Sequence, residues 1–186
     1  KNRYLKLSNI DILNFNIWRL MMTHELSSQG ANFIKHFEGE RLTAYDDGTG
    51  VMTIGYGHTG DVKVGETITQ AQANSYFTED VKWTVDTVNN AVKVDLKQSQ
   101  FDALVSFTYN VGEEAFKSST LLKKLNESDY NAVPAELDRW IYAGDKKGAL
   151  ADIARWTHLG SGKEVSPVLK ERREKEGKLF AEGKYT

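Results

Sequence analysis

The chain has 186 residues, with 24 Lys plus Arg against 26 Asp plus Glu and a formal net charge of −2. That length suits one domain, or two small lobes sharing a core, and the near-neutral balance gives no reason to expect a nucleic-acid partner. There is no cysteine, which excludes disulfides, iron–sulfur clusters, zinc ribbons and thiol nucleophiles.

Near the N-terminus, Ile10, Ile12, Leu13, Phe15 and Ile17 are interrupted by Asp11, Asn14 and Asn16. A secretory core needs ~7–15 uninterrupted apolar residues and a bilayer span about 20, so neither an export signal nor an integral membrane segment is expected. With Met21-Met22 further in, residues 1–25 read as an appended or upstream-encoded leader and 26–186 as the folded domain. Ser27 or Ser28 can cap a helix with Phe33, Ile34 and Phe37 on its apolar face and Gly39 at its end. Residues 42–57 read as a hairpin turning at Asp46-Asp47-Gly48-Thr49-Gly50, with Met52, Ile54 and Tyr56 on one face and Val51, Thr53 and Gly55 on the other. Thr69 and Gln72 form a capping box opening a helix to about Asn90. Further helices are expected at 97–109, 118–126, 130–142, 148–158 and 166–181. Pro134 delays or kinks the 130–142 helix, and Ser166-Pro167 gives the final helix a strong start.

Two apparent motifs carry little. Gly55-Tyr56-Gly57-His58-Thr59-Gly60 matches G-x-G-x-x-G, but no helical stripe follows it, as a dinucleotide fingerprint requires. His24, His36, His58 and His158 have no metal-ligand spacing. Glu38 and Asp47 are more informative. Glu38 lies in the last turn before Gly39, facing the negative end of the helix dipole among Phe33 and Phe37, where the neutral, proton-donating form is favoured. Asp47 lies nine residues on, in a hydrated turn that favours ionisation, and Thr53 follows on the second strand. Two carboxyls in opposed environments suit acid-plus-base cleavage of a glycosidic bond. A charged helix end and an Asp in a turn are also commonplace, so the residues alone leave a purely structural reading open.

The run HFEGERLTAYDDGTGVMTIGYGHTG resembles the tailed-phage lysozymes, the endolysin muramidases of glycoside hydrolase family 24. Their signature is Glu, eight residues, Asp, five residues, Thr, and Glu38, Asp47 and Thr53 keep both spacings. The resemblance extends through QSQFDALVSFTYNVG, SSTLLKKLN, RWIYAG and SPVLKERREKE, over roughly residues 26–182. A segment at about 145–162, carrying Arg155-Trp156, departs from many relatives, and the first twenty-odd residues have no counterpart.

The resemblance implies an α+β, lysozyme-like fold: a small β-hairpin-containing lobe joined by a long helix to a mainly helical lobe, with the cleft between them. It implies a metal-free, cofactor-free enzyme cleaving the β-1,4 bond between N-acetylmuramic acid and N-acetylglucosamine in bacterial peptidoglycan. Glu38 would be the general acid, Asp47 the base orienting a water for inversion, and Thr53 that water's support. Asn110, Tyr56 and His58 would bind substrate, although Asn110 can equally be read as a helix C-cap before Gly112. Arg172 or Arg173 would pair with Glu38 or its neighbours, while Tyr142 could line the groove and Trp140 suits core packing better. The expected partners are peptidoglycan and a phage holin releasing a monomer from the host cytoplasm to the wall. The rivals are a lytic transglycosylase, which needs one Glu and no water, and a catalytically silent wall-binding module.

Overall fold

The computed structural model describes residues 23–46, 48, 50–141 and 165–185. Helix α1 (Ser28–Glu38) begins where the Ser27 side chain accepts the Gly30 N–H. It buries Phe33 and Ile34 and ends at Gly39. Strands β1 (Arg41–Asp46) and β2 (Met52–Gly55) pair antiparallel, with Tyr45 opposite Thr53 and a register shift between Arg41 and Tyr45. The turn is held by Asp46, whose Oδ1 accepts the N–H groups of Gly48 and Gly50 at 2.7 and 3.0 Å. Both glycines have φ near 90°, a conformation that costs other residues strain.

The other edge of β1 is also used. Ala44 N–H donates to Glu66 O and Ile68 N–H donates to Leu42 O, adding a short extended segment that the alternation in the sequence does not reveal. Ile54, Ile68 and Ala73 form a small core between the hairpin and α2 (Gln70–Ala91), with Tyr56 and Tyr76 against it. Thr53 and Gly55 are buried as well as Ile54, so β2 is covered on both faces rather than one.

The capping box opens α2 as the sequence predicts: Thr69 Oγ1 accepts from Gln72 N, and Gln72 Oε1 accepts from Thr69 N. At ~1.5 Å per residue its 22 residues run about 33 Å. Ala73 serves the small core, while Phe77, Val81 and Val88 serve a larger one, so α2 joins the two lobes.

The larger core surrounds α3 (Gln98–Val111). Every residue from Phe101 to Thr108 is buried, the signature of a helix enclosed on all sides. Around it pack α1, α2, α4 (Glu113–Ser118) and α7 (Pro167–Glu182); α5 (Thr120–Asn126) packs on α4, and α6 (Val133–Leu137) on α7 and α5. The sequence reading missed α4, a six-residue helix too short for periodicity to register. Ser119 separates it from α5: its backbone is extended and its hydroxyl caps Leu122 N. The expected 130–142 helix is a 3₁₀ turn (Tyr130–Ala132) followed by α6, which has Pro134 in its first turn and stops at Leu137. The 148–158 helix and the 145–162 segment lie outside the described residues. Ser166 caps α7, and Gly183 closes it in a left-handed conformation.

Packing of the described chain begins ahead of residue 26. His24 stacks on Phe101 at 5.0 Å and is 3.0 Å from Leu96 O through Nε2. Among the described residues, no helix is long and apolar enough to cross a membrane.

Candidate active site

Glu38 is the last residue of α1, and its side chain is 20% exposed. Gly39 ends the helix there with φ 71°, donating its N–H to Lys35 O. Glu38 Oε1 accepts from Arg172 Nη1 at 2.7 Å. Arg172 comes from α7 and is almost fully buried. Its Nε reaches Glu176 Oε1 at 3.1 Å, its Nη2 reaches Ser106 O at 3.1 Å, and its guanidinium lies over the Phe37 ring. Burial opposes the Arg172 charge, but the carboxylates of Glu176 and Glu38 outweigh it and hold the guanidinium above the ordinary arginine value.

The other carboxyl oxygen has different surroundings. A Cβ built on Gly57 would lie 3.9 Å from Glu38 Oε2 and 4.0 Å from the Tyr109 hydroxyl. The missing side chain therefore leaves room beside Oε2. Tyr109 donates its hydroxyl proton to Tyr56 O at 3.2 Å. Burial, then the negative charges of Glu38 and Asp80, push its phenol well above the ordinary tyrosine range, so it stays neutral.

Of the two arginines, Arg172 reaches Glu38 and Arg173 reaches Asn110. Arg173 is fully buried, donating to Glu176 Oε2, to Asn110 Oδ1 and to Trp140 O (3.2 Å). Burial holds its guanidinium below the ordinary arginine value, and neighbouring Arg172 adds to this. Asn110 is exposed near the end of α3 and does not cap that helix; Gly112 closes it by donating to Thr108 O. With Oδ1 taken by Arg173, the amide NH₂ is what Asn110 can offer a ligand.

Thr53 is buried in β2, with its hydroxyl 3.4 Å from Val51 O. Asp47 and Tyr142 lie outside the described residues. His58 sits with Nδ1 2.9 Å from Asp80 Oδ2, Nε2 3.1 Å from Gly60 O, and its ring stacked on Tyr76. Nδ1 thus fastens the Gly55–Gly60 loop to α2, while Nε2 braces the loop against itself. That loop is a tight turn in which Ile54 and His58 exchange backbone hydrogen bonds, and no helix opens directly from it. Tyr56 donates to Glu40 Oε1 at 3.0 Å, accepts from Gln70 Nε2 at 2.9 Å, and packs against both cores. Trp140 meets Phe107 edge-on at 5.3 Å, at the margin of the larger core.

Sequence reasoning missed Ser106, Tyr109, Asp80 and Glu176. Only Glu176 had a legible signal, standing four residues after Arg172 and three after Arg173 on one helix. Chemically, a carboxyl with one oxygen held by a buried cation and the other beside an open space can exchange a proton at one defined atom.

The family model described as Phage lysozyme matches residues 35–151. An endolysin of Acyrthosiphon pisum secondary endosymbiont phage 1 is 44% identical over 115 residues, covering 62% of this chain and 79% of that protein. The endolysin of Salmonella phage P22 is 42% identical over 125 residues, covering 64% and 86% respectively. Among solved structures, an endolysin from Escherichia coli O157:H7 phage FAHEc1 superposes with a TM-score of 0.75 at 35% identity, covering 88% of this chain and 97% of that one.

Proposed function

This chain belongs to the phage lysozyme family, and from that premise we propose the bond it cleaves and the residues that cleave it. It is a lysozyme-class hydrolase of bacterial peptidoglycan with a role in cell lysis. The bond is the β-1,4 link between N-acetylmuramic acid and N-acetylglucosamine, and the reaction inverts the anomeric centre.

Glu38 is the general acid. Arg172 occupies Oε1, so the proton given to the leaving oxygen rides on Oε2, beside the gap at Gly57. As that proton departs, negative charge develops on the carboxyl. Arg172 is already in place to stabilise it, at no cost in reorganisation. Asp47 orients a water on the opposite sugar face, and Thr53 supports that water. Such a pair of carboxyls needs ~6.5–9.5 Å between them to admit the water. Asn110 offers its amide NH₂ to a sugar carbonyl or hydroxyl, and Tyr56 and His58 shape the adjoining wall of the cleft. The enzyme acts as a monomer, needs neither metal nor cofactor, and crosses from the host cytoplasm to the wall through a holin-dependent breach.

The observation that carries this reading is the Glu38–Arg172 pair at 2.7 Å, placed at the end of α1 beside Gly57. The test is the chemistry of the released fragments. Hydrolysis with inversion yields reducing-end muramic acid of α configuration. Products ending in 1,6-anhydromuramic acid would instead establish a transglycosylase acting through Glu38 alone.

A further inference from the structure

Glu176 contacts neither the surface nor Glu38, yet it is the residue on which both buried arginines that reach the candidate site converge. Its side chain is fully buried, and its two oxygens are divided. Oε1 accepts from Arg172 Nε at 3.1 Å and from the Ser106 hydroxyl at 2.7 Å, while Oε2 accepts from Arg173 Nη1. Each arginine also directs one donor group to a candidate site residue, Arg172 Nη1 to Glu38 and Arg173 Nη2 to Asn110.

We propose that Glu176 is a positioning residue of this enzyme, acting through Arg172 to fix the Glu38 carboxyl and through Arg173 to fix the Asn110 amide. The inference rests on Glu38 being the acid. A guanidinium is a planar fork whose direction is set once two of its edges are committed. Arg172 has its Nε edge on Glu176 and Nη2 on Ser106 O, which leaves Nη1 aimed at Glu38 with no freedom to follow the carboxyl elsewhere. Arg173 is committed in the same way by Glu176 and by Trp140 O. Charge balance requires the same residue. Arg172 and Arg173 stand beside Glu38 and Glu176, so while Glu38 holds its proton Glu176 is the one anion of these four side chains, and the cluster is formally neutral only when both carboxyls are charged. Without that carboxylate the two cations repel each other and compete for Glu38. The acid's geometry would then no longer be single-valued. In sequence terms, α7 encodes the arrangement as Arg172-Arg173-x-x-Glu176, which puts both cations within one helical turn of the anion.

The test measures kcat and KM on solubilised glycan strands for Glu176→Gln, well below its unfolding temperature. Misplacing a reacting group by about 1 Å can cost about 100-fold, so kcat is expected to fall by about 10- to 100-fold. Because losing a buried charge can prevent folding, a second variant, Glu176→Gln with Arg173→Met, removes one negative and one positive charge together. It is expected to fold, to raise KM through the freed Asn110, and to keep the kcat loss. In an Arg172→Met background, Glu176→Gln should lower kcat no further, since its effect runs through Arg172. Wild-type kcat in the folded charge-balanced variant, or full additivity with Arg172→Met, would overturn the proposal. Glu38→Gln serves as the reference. If that variant keeps its activity, the reading of the acid has failed. If Glu38→Gln is dead while Glu176→Gln turns over normally, only the inference about Glu176 has failed.

Discussion

Two fully buried carboxylates, Asp102 on α3 and Glu176 packed against it from α7, are satisfied by different means. Asp102, in the first half of the helix, is met by neutral donors: the Ser27 N–H and hydroxyl, Gln98 Nε2 at 2.9 Å and the Tyr185 hydroxyl at 2.6 Å. Gln98 belongs to α3 itself, but Ser27 lies just before α1 and Tyr185 just after α7, so Asp102 ties both flanks of the described fold to its central helix. Glu176, packed against Ser106 in the second half, is met by two arginines as well as a hydroxyl. Neutral donors satisfy a buried carboxylate and go no further. Guanidiniums have spare N–H groups, which carry the order at Glu176 outward to Glu38 and Asn110. On the proposed function, one end of α3 serves stability alone, while the other links stability to the acid.

Breaking the comparison at the charged end should have the largest effect. Arg172→Met strips Glu38 of its cation and leaves Glu176 with Arg173 and the Ser106 hydroxyl; losing one partner of a buried pair costs about 3–5 kcal/mol. Urea unfolding should show that loss together with a steep fall in turnover. At the neutral end, Asp102→Asn keeps the shape but turns one acceptor into a donor facing donors, a loss of about 1–3 kcal/mol. Turnover per folded molecule should not change, and a drop in kcat would show that the two ends are not separable.

The smallest effect sharpens the comparison by pH. Burial, with help from the bond to Asp102, pushes the Tyr185 phenol up to about 12. Its ordinary value is about 10, so the folded state holds the proton more tightly than the unfolded chain. The stabilisation it brings is therefore complete below pH of about 10 and is lost as pH rises toward about 12. Tyr185→Phe should cost about 1 kcal/mol at neutral pH and remove this part of the alkaline decline.

Much of this architecture is legible in the sequence wherever a local chemical signal exists. Thr69 with Gln72, and Ser166 with Pro167, mark helix starts through backbone groups only a few residues away. The placement of Glu38 before Gly39 gives its position at a helix end. What stays hidden depends on partners far apart in the chain. Helix periodicity cannot show that Arg172 reaches Glu38 across 134 positions, a pairing that only the family resemblance implied for Arg172 or Arg173, or that Asp80 takes up His58 from α2. The helix end and the apolar neighbours of Glu38 are local features and say nothing of the buried cation bonded to its carboxyl. The pairing of residues 66–68 with β1 was invisible for a similar reason: the segment is too short to alternate, and its register is set by the hairpin it joins.

The central claim is that Glu38 supplies the proton, from an oxygen that Arg172 leaves free. The most direct measurement is the clearing rate of peptidoglycan by Glu38→Gln, taken alongside its near-UV spectrum and cooperative unfolding. General-acid catalysis contributes about 10²–10⁴-fold, so a folded Gln variant should lose at least about two orders of magnitude. A Glu38→Gln protein that clears walls at near wild-type rate would contradict the account.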